Sequence, residues 1–130
     1  MNITQVANQF GMTTATLRYY ENVGLIPPVN RKQSGVRDYS EQDIKWIEFI
    51  KCMRSAGLTI EALIEYTTLF IEGDRTIEAR KQILVDEREK LAQKRREIDE
   101  TILRLNRKID DYDGKLVEKE TELTISSLSQ

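Results

Sequence analysis

The sequence predicts a mainly α-helical chain, with a small N-terminal head bearing a wing, then one long C-terminal helix that pairs with a second copy. Three features carry this expectation. From Ile3 to Leu69 apolar residues recur at helical spacing, in short runs separated by glycines. Pro27-Pro28 and Ser34-Gly35 interrupt those runs with an extended segment and a turn. Beyond Thr76 a heptad repeat replaces the short runs.

Asn2 is a good N-cap for a first helix carrying Ile3, Val6, Ala7 and Phe10, and Gly11 breaks it. Thr13 caps a second helix, with Leu17 and Tyr20 on one face and Gly24 at its end. Residues 29–39 read as a short hairpin around Lys32-Gln33-Ser34-Gly35. Ser40, three residues before Asp43, opens a third helix that runs to Ala56 through Ile44, Trp46, Ile47, Phe49, Ile50 and Met53. Thr59 caps a fourth, with Ile60, Leu63, Ile64 and Leu69 inward and Gly73-Asp74 closing it.

The last helix carries Leu84, Leu91, Ile98, Leu105 and Tyr112 at seven-residue spacing, with Ile102, Ile109 and Leu116 as the companion row. Earlier companion positions are Arg88 and Arg95, so the seam is best formed from Ile98 onward. A lone helix with such a stripe is marginal in water and needs a partner, most simply the same helix of a second chain. The expected boundaries are a head at 1–73, a coiled-coil dimerisation helix at 76–120 and a flexible tail at 121–130.

Composition narrows the function. The chain has 130 residues, 32% of them charged, and a net charge of −2, so bulk charge gives no sign of nucleic acid. The distribution says slightly more: residues 1–56 hold seven Lys/Arg against five Asp/Glu, and the remainder 13 against 17. Histidine is absent, which removes the commonest general base and metal ligand. No phosphate loop and no nucleophile–base pair is visible, so neither an enzyme nor a cofactor is expected. With no apolar span, no secretory leader and one cysteine, the expected location is the cytoplasm, without membrane association.

The spacing of the first two helices is that of a helix-turn-helix. Small Ala7 lies four residues before Gly11, so the second helix can cross close above the first, and Gly11 permits the left-handed corner. Val6, Phe10, Met12, Leu17 and Tyr20 would form the shared core. That leaves Thr13, Thr14, Thr16, Arg18 and Tyr19 facing outward, where short hydroxyls enter a major groove and Arg18 reaches a phosphate or guanine edge. The hairpin adds Arg31, Lys32, Arg37 and Tyr39, types suited to backbone contact beside the groove. Two other readings stay open at this level: a coiled-coil protein whose head binds another protein, and a non-specific architectural DNA binder.

The run from Thr16 through Arg18-Tyr19-Tyr20-Glu21 to Gly24-Leu25-Ile26, then Arg31, Gly35-Val36-Arg37-Asp38-Tyr39-Ser40 and Asp43-Ile44, resembles the MerR family of bacterial transcription regulators over residues 2–73. The resemblance implies a homodimer with an antiparallel coiled coil and a winged helix-turn-helix on each protomer. It implies binding to a pseudo-palindrome of double-stranded promoter DNA with an overlong spacer. On stimulation the dimer bends and untwists that DNA so that RNA polymerase engages both promoter elements. Carried over by position, Thr14, Thr16, Arg18 and Tyr19 fall on the recognition helix and Arg31, Arg37 and Tyr39 on the wing. Asp38, an acid where the family varies, would lower affinity.

One cysteine cannot build a thiol metal site or hold an iron–sulfur cluster. Cys52 lies between Lys51 and Met53-Arg54 on the third helix. Nearby cations favour a reactive thiolate, although Arg54 faces another direction. The residues alone leave two roles open: a reactive thiol, or a small packing residue in the core. The segment Ile50 to Leu58 resembles the family's aldehyde- and electrophile-responsive subgroup, which implies that Cys52 is the sensor. The alternative is a regulator of the same family that answers a different signal, with Cys52 structural.

Overall fold

The computed structural model describes the backbone of residues 1–128 and the side chains of residues 1–115. Five helices follow one another: α1 (Ile3–Phe10), α2 (Thr14–Asn22), α3 (Glu41–Ser55), α4 (Ile60–Glu72) and α5 (Ile77–Leu128), with a 3₁₀ turn at Asp74–Thr76 leading into α5. Two compact units divide the chain after Leu91, so α5 contributes to both.

Local chemistry sets the helix starts. The Asn2 side chain accepts from the Gln5 amide at 2.9 Å while Gln5 Oε1 accepts from the Asn2 amide at 2.9 Å. Ser40 and Asp43 form the same reciprocal pair at 3.1 and 2.8 Å. Thr13 and Thr59 cap α2 and α4 by accepting from Thr16 N and Ala62 N. Each such cap satisfies a donor that the helix itself cannot, worth about 1 kcal/mol.

The first unit, Met1–Leu91, is built on a core from all four short helices. Val6, Leu17, Ile47 and Ile50 are fully buried, with Ala7, Tyr20, Leu25, Ile26 and Leu63 beside them. Gly11 adopts φ 63°, ψ 34°, and the amide after it, Met12 N, donates to Ala7 O at 2.9 Å. The left-handed corner between α1 and α2 is therefore the one that the Ala7–Gly11 spacing predicts. Buried Thr67 of α4 donates its hydroxyl to Leu25 O at 2.8 Å and to Leu63 O at 3.0 Å, tying α4 to the segment after α2.

The wing is slighter than a strand pair. Arg31 and Arg37 form one isolated antiparallel bridge. Around it Lys32 N donates to Val36 O at 2.8 Å, Gly35 N to Lys32 O at 2.8 Å and Asp38 N to Asn30 O at 2.7 Å. Gly35 supplies the positive φ, 87°, that the turn needs. Pro27-Pro28 precedes the wing with no amide donors, which shortens any ladder on that side.

The start of α5 belongs to the head. Leu91 packs against the core cluster, and Leu84 is half-buried. Leu91, a position of the heptad row, thus serves packing within the head. From residue 92 onward the helix forms a unit of its own. There Ile98, Ile102, Leu105, Ile109 and Tyr112 are 48–66% exposed. The backbone stays helical past Glu118 to Leu128, through the segment expected as a tail from residue 121. No proline interrupts it, and Gly114 is the single glycine within it. The side chain of Leu116 and residues 129–130 lie outside the described residues.

Candidate nucleic-acid interface

The outward face of α2 is held in shape from its first turn. Thr13 Oγ1 and Thr16 Oγ1 lie 2.9 Å apart, and Arg18 NH1 reaches Thr14 Oγ1 at 3.5 Å. Thr14 and Thr16 are half-buried, whereas Arg18 and Tyr19 stand exposed. Tyr20, the next residue, points the opposite way into the core, so the helix presents one polar, cation-bearing face and one apolar one.

At the wing, the four residues singled out by sequence fall into different environments. Arg31 and Lys32 are exposed at the tip, with Arg31 NH1 donating to Gly35 O at 3.0 Å. Lys32 makes no ion pair among the described residues. Arg37 is not presented outward: its Nε lies 2.6 Å from Glu21 Oε1, with both side chains largely shielded at 15% and 13% exposure. The other oxygen of Glu21 accepts from Val29 N at 3.0 Å. Burial raises the Glu21 pKa, but Arg37 and the Val29 amide together hold it below its usual value.

Tyr39 departs furthest from its expected place. Its ring is buried in the core, 3% exposed, rather than lying on the wing surface. Its hydroxyl is buried with no hydrogen-bond partner among the described residues. Burial pushes the phenol pKa up, and Arg37, Glu21, Asp43 and Arg18 are the charges it feels. The backbone explains the inward turn: Tyr39 N donates to Met1 O at 2.8 Å, and the Met1 amine donates to Tyr39 O at 3.0 Å. Asp38 is occupied by the same amine at 3.3 Å, which offsets part of the repulsion expected from an acid in the wing.

Cys52 is exposed, not a packing residue. The neighbouring cations are committed elsewhere. Lys51 Nζ donates to Phe10 O and sits 6.0 Å from the Phe10 ring centroid. Arg54 NH1 donates to Leu58 O at 2.6 Å. Sequence proximity of Lys51 and Arg54 to the thiol is therefore not a cationic pocket around it.

Sequence reasoning missed two features of this head. Glu21 was visible only as part of a motif, because its partners lie eight and 16 residues away and come close only through the wing. The second is an aromatic cluster on α3 and α4. Trp46 lies 4.9 Å from Phe70, 6.0 Å from Tyr66 and 6.3 Å from Phe49, ring centroid to centroid. With Gln42 and Lys45 these rings line an open cavity of about 220 Å³. Its signal was present as aromatics at i, i+3 on α3 and i, i+4 on α4.

A helix-turn-helix with one exposed helix face, a basic turn beside it and a long terminal helix defines the class of regulatory helix-turn-helix proteins. The profile of the MerR HTH family of regulatory proteins matches residues 1–68, and the chain belongs to that family. It is 80% identical over 91 residues to the HTH-type transcriptional regulator AdhR of Bacillus subtilis, an alignment covering 70% of this chain and 65% of AdhR. It is 32% identical to the regulator YyaN of the same organism, over 91% of this chain and 94% of that one. Among solved structures, a MerR family transcriptional regulator from Listeria monocytogenes superposes with a TM-score of 0.89 at 43% identity, covering 99% of this chain and 98% of the other. HiNmlR, a MerR family regulator lacking the sensor domain and bound to promoter DNA, superposes with a TM-score of 0.76 at 25% identity, over 86% of this chain and 89% of that one. These relatives are transcriptional regulators, not enzymes. No helix among the described residues is long and apolar enough to cross a membrane.

Proposed function

We propose that the chain is a homodimeric, sequence-specific DNA-binding transcription regulator. It distorts an overlong promoter spacer and activates its genes when an aldehyde or related electrophile modifies Cys52. The observation that carries the DNA reading is the joint exposure, on one head, of the α2 face and the basic wing tip. Thr14, Thr16, Arg18 and Tyr19 address the major groove, and Arg31 and Lys32 the flanking phosphates. That HiNmlR, a structural neighbour of this chain, is bound to promoter DNA supports the DNA-binding reading.

The exposed apolar row beyond Leu91 supports the dimer. Burying Ile98, Ile102, Leu105, Ile109 and Tyr112 against a second copy contributes about 1.5–3 kcal/mol for each aliphatic side chain, which a lone helix in water forgoes. Two heads held by such an arm match two half-sites of a pseudo-palindrome, and the angle between them governs how far the spacer is bent and untwisted for RNA polymerase. Cytoplasmic location at the nucleoid follows from that role.

The sensing reading rests on the Ile50–Leu58 resemblance and on the exposure of Cys52. The thiolate adds to the carbonyl carbon and a C–S bond forms. The π pair moves to oxygen, which takes up the proton that the thiol released. An adduct on α3 alters the packing between the DNA-reading helices and the arm, a two-state rearrangement. Transcription in vitro from the promoter beside the protein's own gene tests this, with and without aldehyde. Wild type is expected to switch on with aldehyde. Cys52→Ser is expected to bind the same DNA and stay unresponsive. A Cys52→Ser protein that still switches removes Cys52 as sensor, and a wild type that prefers no DNA sequence at physiological salt removes the regulator reading.

A further inference from the structure

Glu21 stands on the last turn of α2 and uses both carboxylate oxygens. One accepts from Arg37 Nε at 2.6 Å, and the other from Val29 N at 3.0 Å. Val29 leads into the wing and Arg37 leads out of it. The two legs are themselves joined by the Arg31–Arg37 bridge and by Asp38 N donating to Asn30 O at 2.7 Å. A single side chain therefore fastens the recognition helix to both legs of the wing. Shielding makes the fastening strong: with 15% and 13% exposure the pair is screened little by salt, and removing either partner strands the other charge.

We propose that Glu21 is a positioning residue that fixes the spacing between recognition helix and wing, and that Arg37 serves this clamp instead of contacting a phosphate. The proposal deepens the DNA-binding reading and rests on it for its effect on affinity. In this arrangement Arg31 and Lys32 are the wing cations offered to phosphates, beside Arg18 on the α2 face, all three exposed. The clamp sets whether the α2 face and the wing tip meet the same stretch of backbone together.

The full chain with Glu21→Gln, Arg37→Gln, both changes, and the exchanged pair Glu21→Arg/Arg37→Glu supplies the test. The probe is a duplex from beside the protein's own gene, titrated across salt concentrations. Each single change is expected to weaken binding by roughly tenfold, and the double change to cost no more than either alone, as coupled partners do. The salt slope is expected to stay at the wild-type value in Arg37→Gln, since no phosphate contact is lost. The exchanged pair recovers part of the loss, because it restores the ion pair but not the Val29 bond. If Arg37→Gln lowers the slope by about 0.9 per head while Glu21→Gln binds like wild type, Arg37 is a phosphate contact and the proposal is wrong.

A second readout needs no DNA. Hydrogen exchange at the Lys32 and Asp38 amides, which close the wing, is expected to quicken in both single variants and slow again in the exchanged pair. Protection in α3 should be unchanged, which separates a loosened wing from an unfolded head. Wing exchange unaltered by either variant overturns the clamp whether or not the protein binds DNA. Failure of wild type alone to bind the duplex counts against the DNA reading instead.

Discussion

In the head, Val6, Leu17, Ile47 and Ile50 are shielded completely, whereas in α5 beyond Leu91 the apolar side chains Ile98, Ile102, Leu105, Ile109 and Tyr112 keep about half or more of their surface in water. Both regions have helical apolar periodicity. They differ in what the periodicity meets. Short helices broken at Gly11, Gly24 and Gly57 fold back on one another and bury their stripes within one chain. Beyond Leu91, α5 has no such break to turn it back, and its stripe stays exposed in the single chain. The contrast teaches that the same sequence signal builds a core in one region and leaves an apolar row in water in the other.

The largest effect expected comes from removing the arm's apolar row. Ile102→Asp with Ile109→Asp places charges in the seam and should leave a folded monomer, seen by sedimentation. Its promoter affinity should fall more than a hundredfold, since one head binds without the other's effective concentration. Next is the head: Leu17→Ala should lower unfolding free energy by about 2–5 kcal/mol while leaving the arm's self-association intact. Chemical denaturation read at Trp46 checks this. If Leu17→Ala abolished dimers as well, the two regions would not be separable.

A smaller effect is pH-dependent and confined to the head. The pKa of Glu21 is held below its usual value in the folded chain. Its contribution is therefore fully present above the unfolded carboxylate value near 4.3, and is lost as pH falls through the depressed folded value. Wild type should lose stability below about pH 4 more steeply than Glu21→Gln, measured by denaturant midpoint. Smallest is Gly114→Ala. An added Cβ there meets nothing within 4 Å, so the arm should gain roughly 0.5–1 kcal/mol of helix stability by thermal unfolding.

Legibility in the sequence followed the same division. Helix starts were readable because Asn2, Thr13, Ser40 and Thr59 act on amides three residues away, and the left-handed corner because Ala7 and Gly11 fix it locally. Arg18 and Tyr19 were readable as outward because Leu17 and Tyr20 fix the phase of α2. The environments of Arg37 and Tyr39 were not, since they depend on partners distant in the chain. Arg37 turns to Glu21, and Tyr39 turns inward while its backbone pairs with Met1. Leu91 fits a heptad by spacing yet packs on the head, because periodicity specifies a face and not what covers it. Cys52 could be placed on α3 from sequence, but its exposure depends on how α3 packs.

A footprint of the full chain on the DNA beside its own gene tests the central claim most directly, namely that two heads held by one arm read that DNA together. The account predicts two protected half-sites related by a pseudo-dyad, lost together in the Ile102→Asp/Ile109→Asp variant. Protection of a single half-site that survives this variant, or uniform protection without sequence preference, would contradict it.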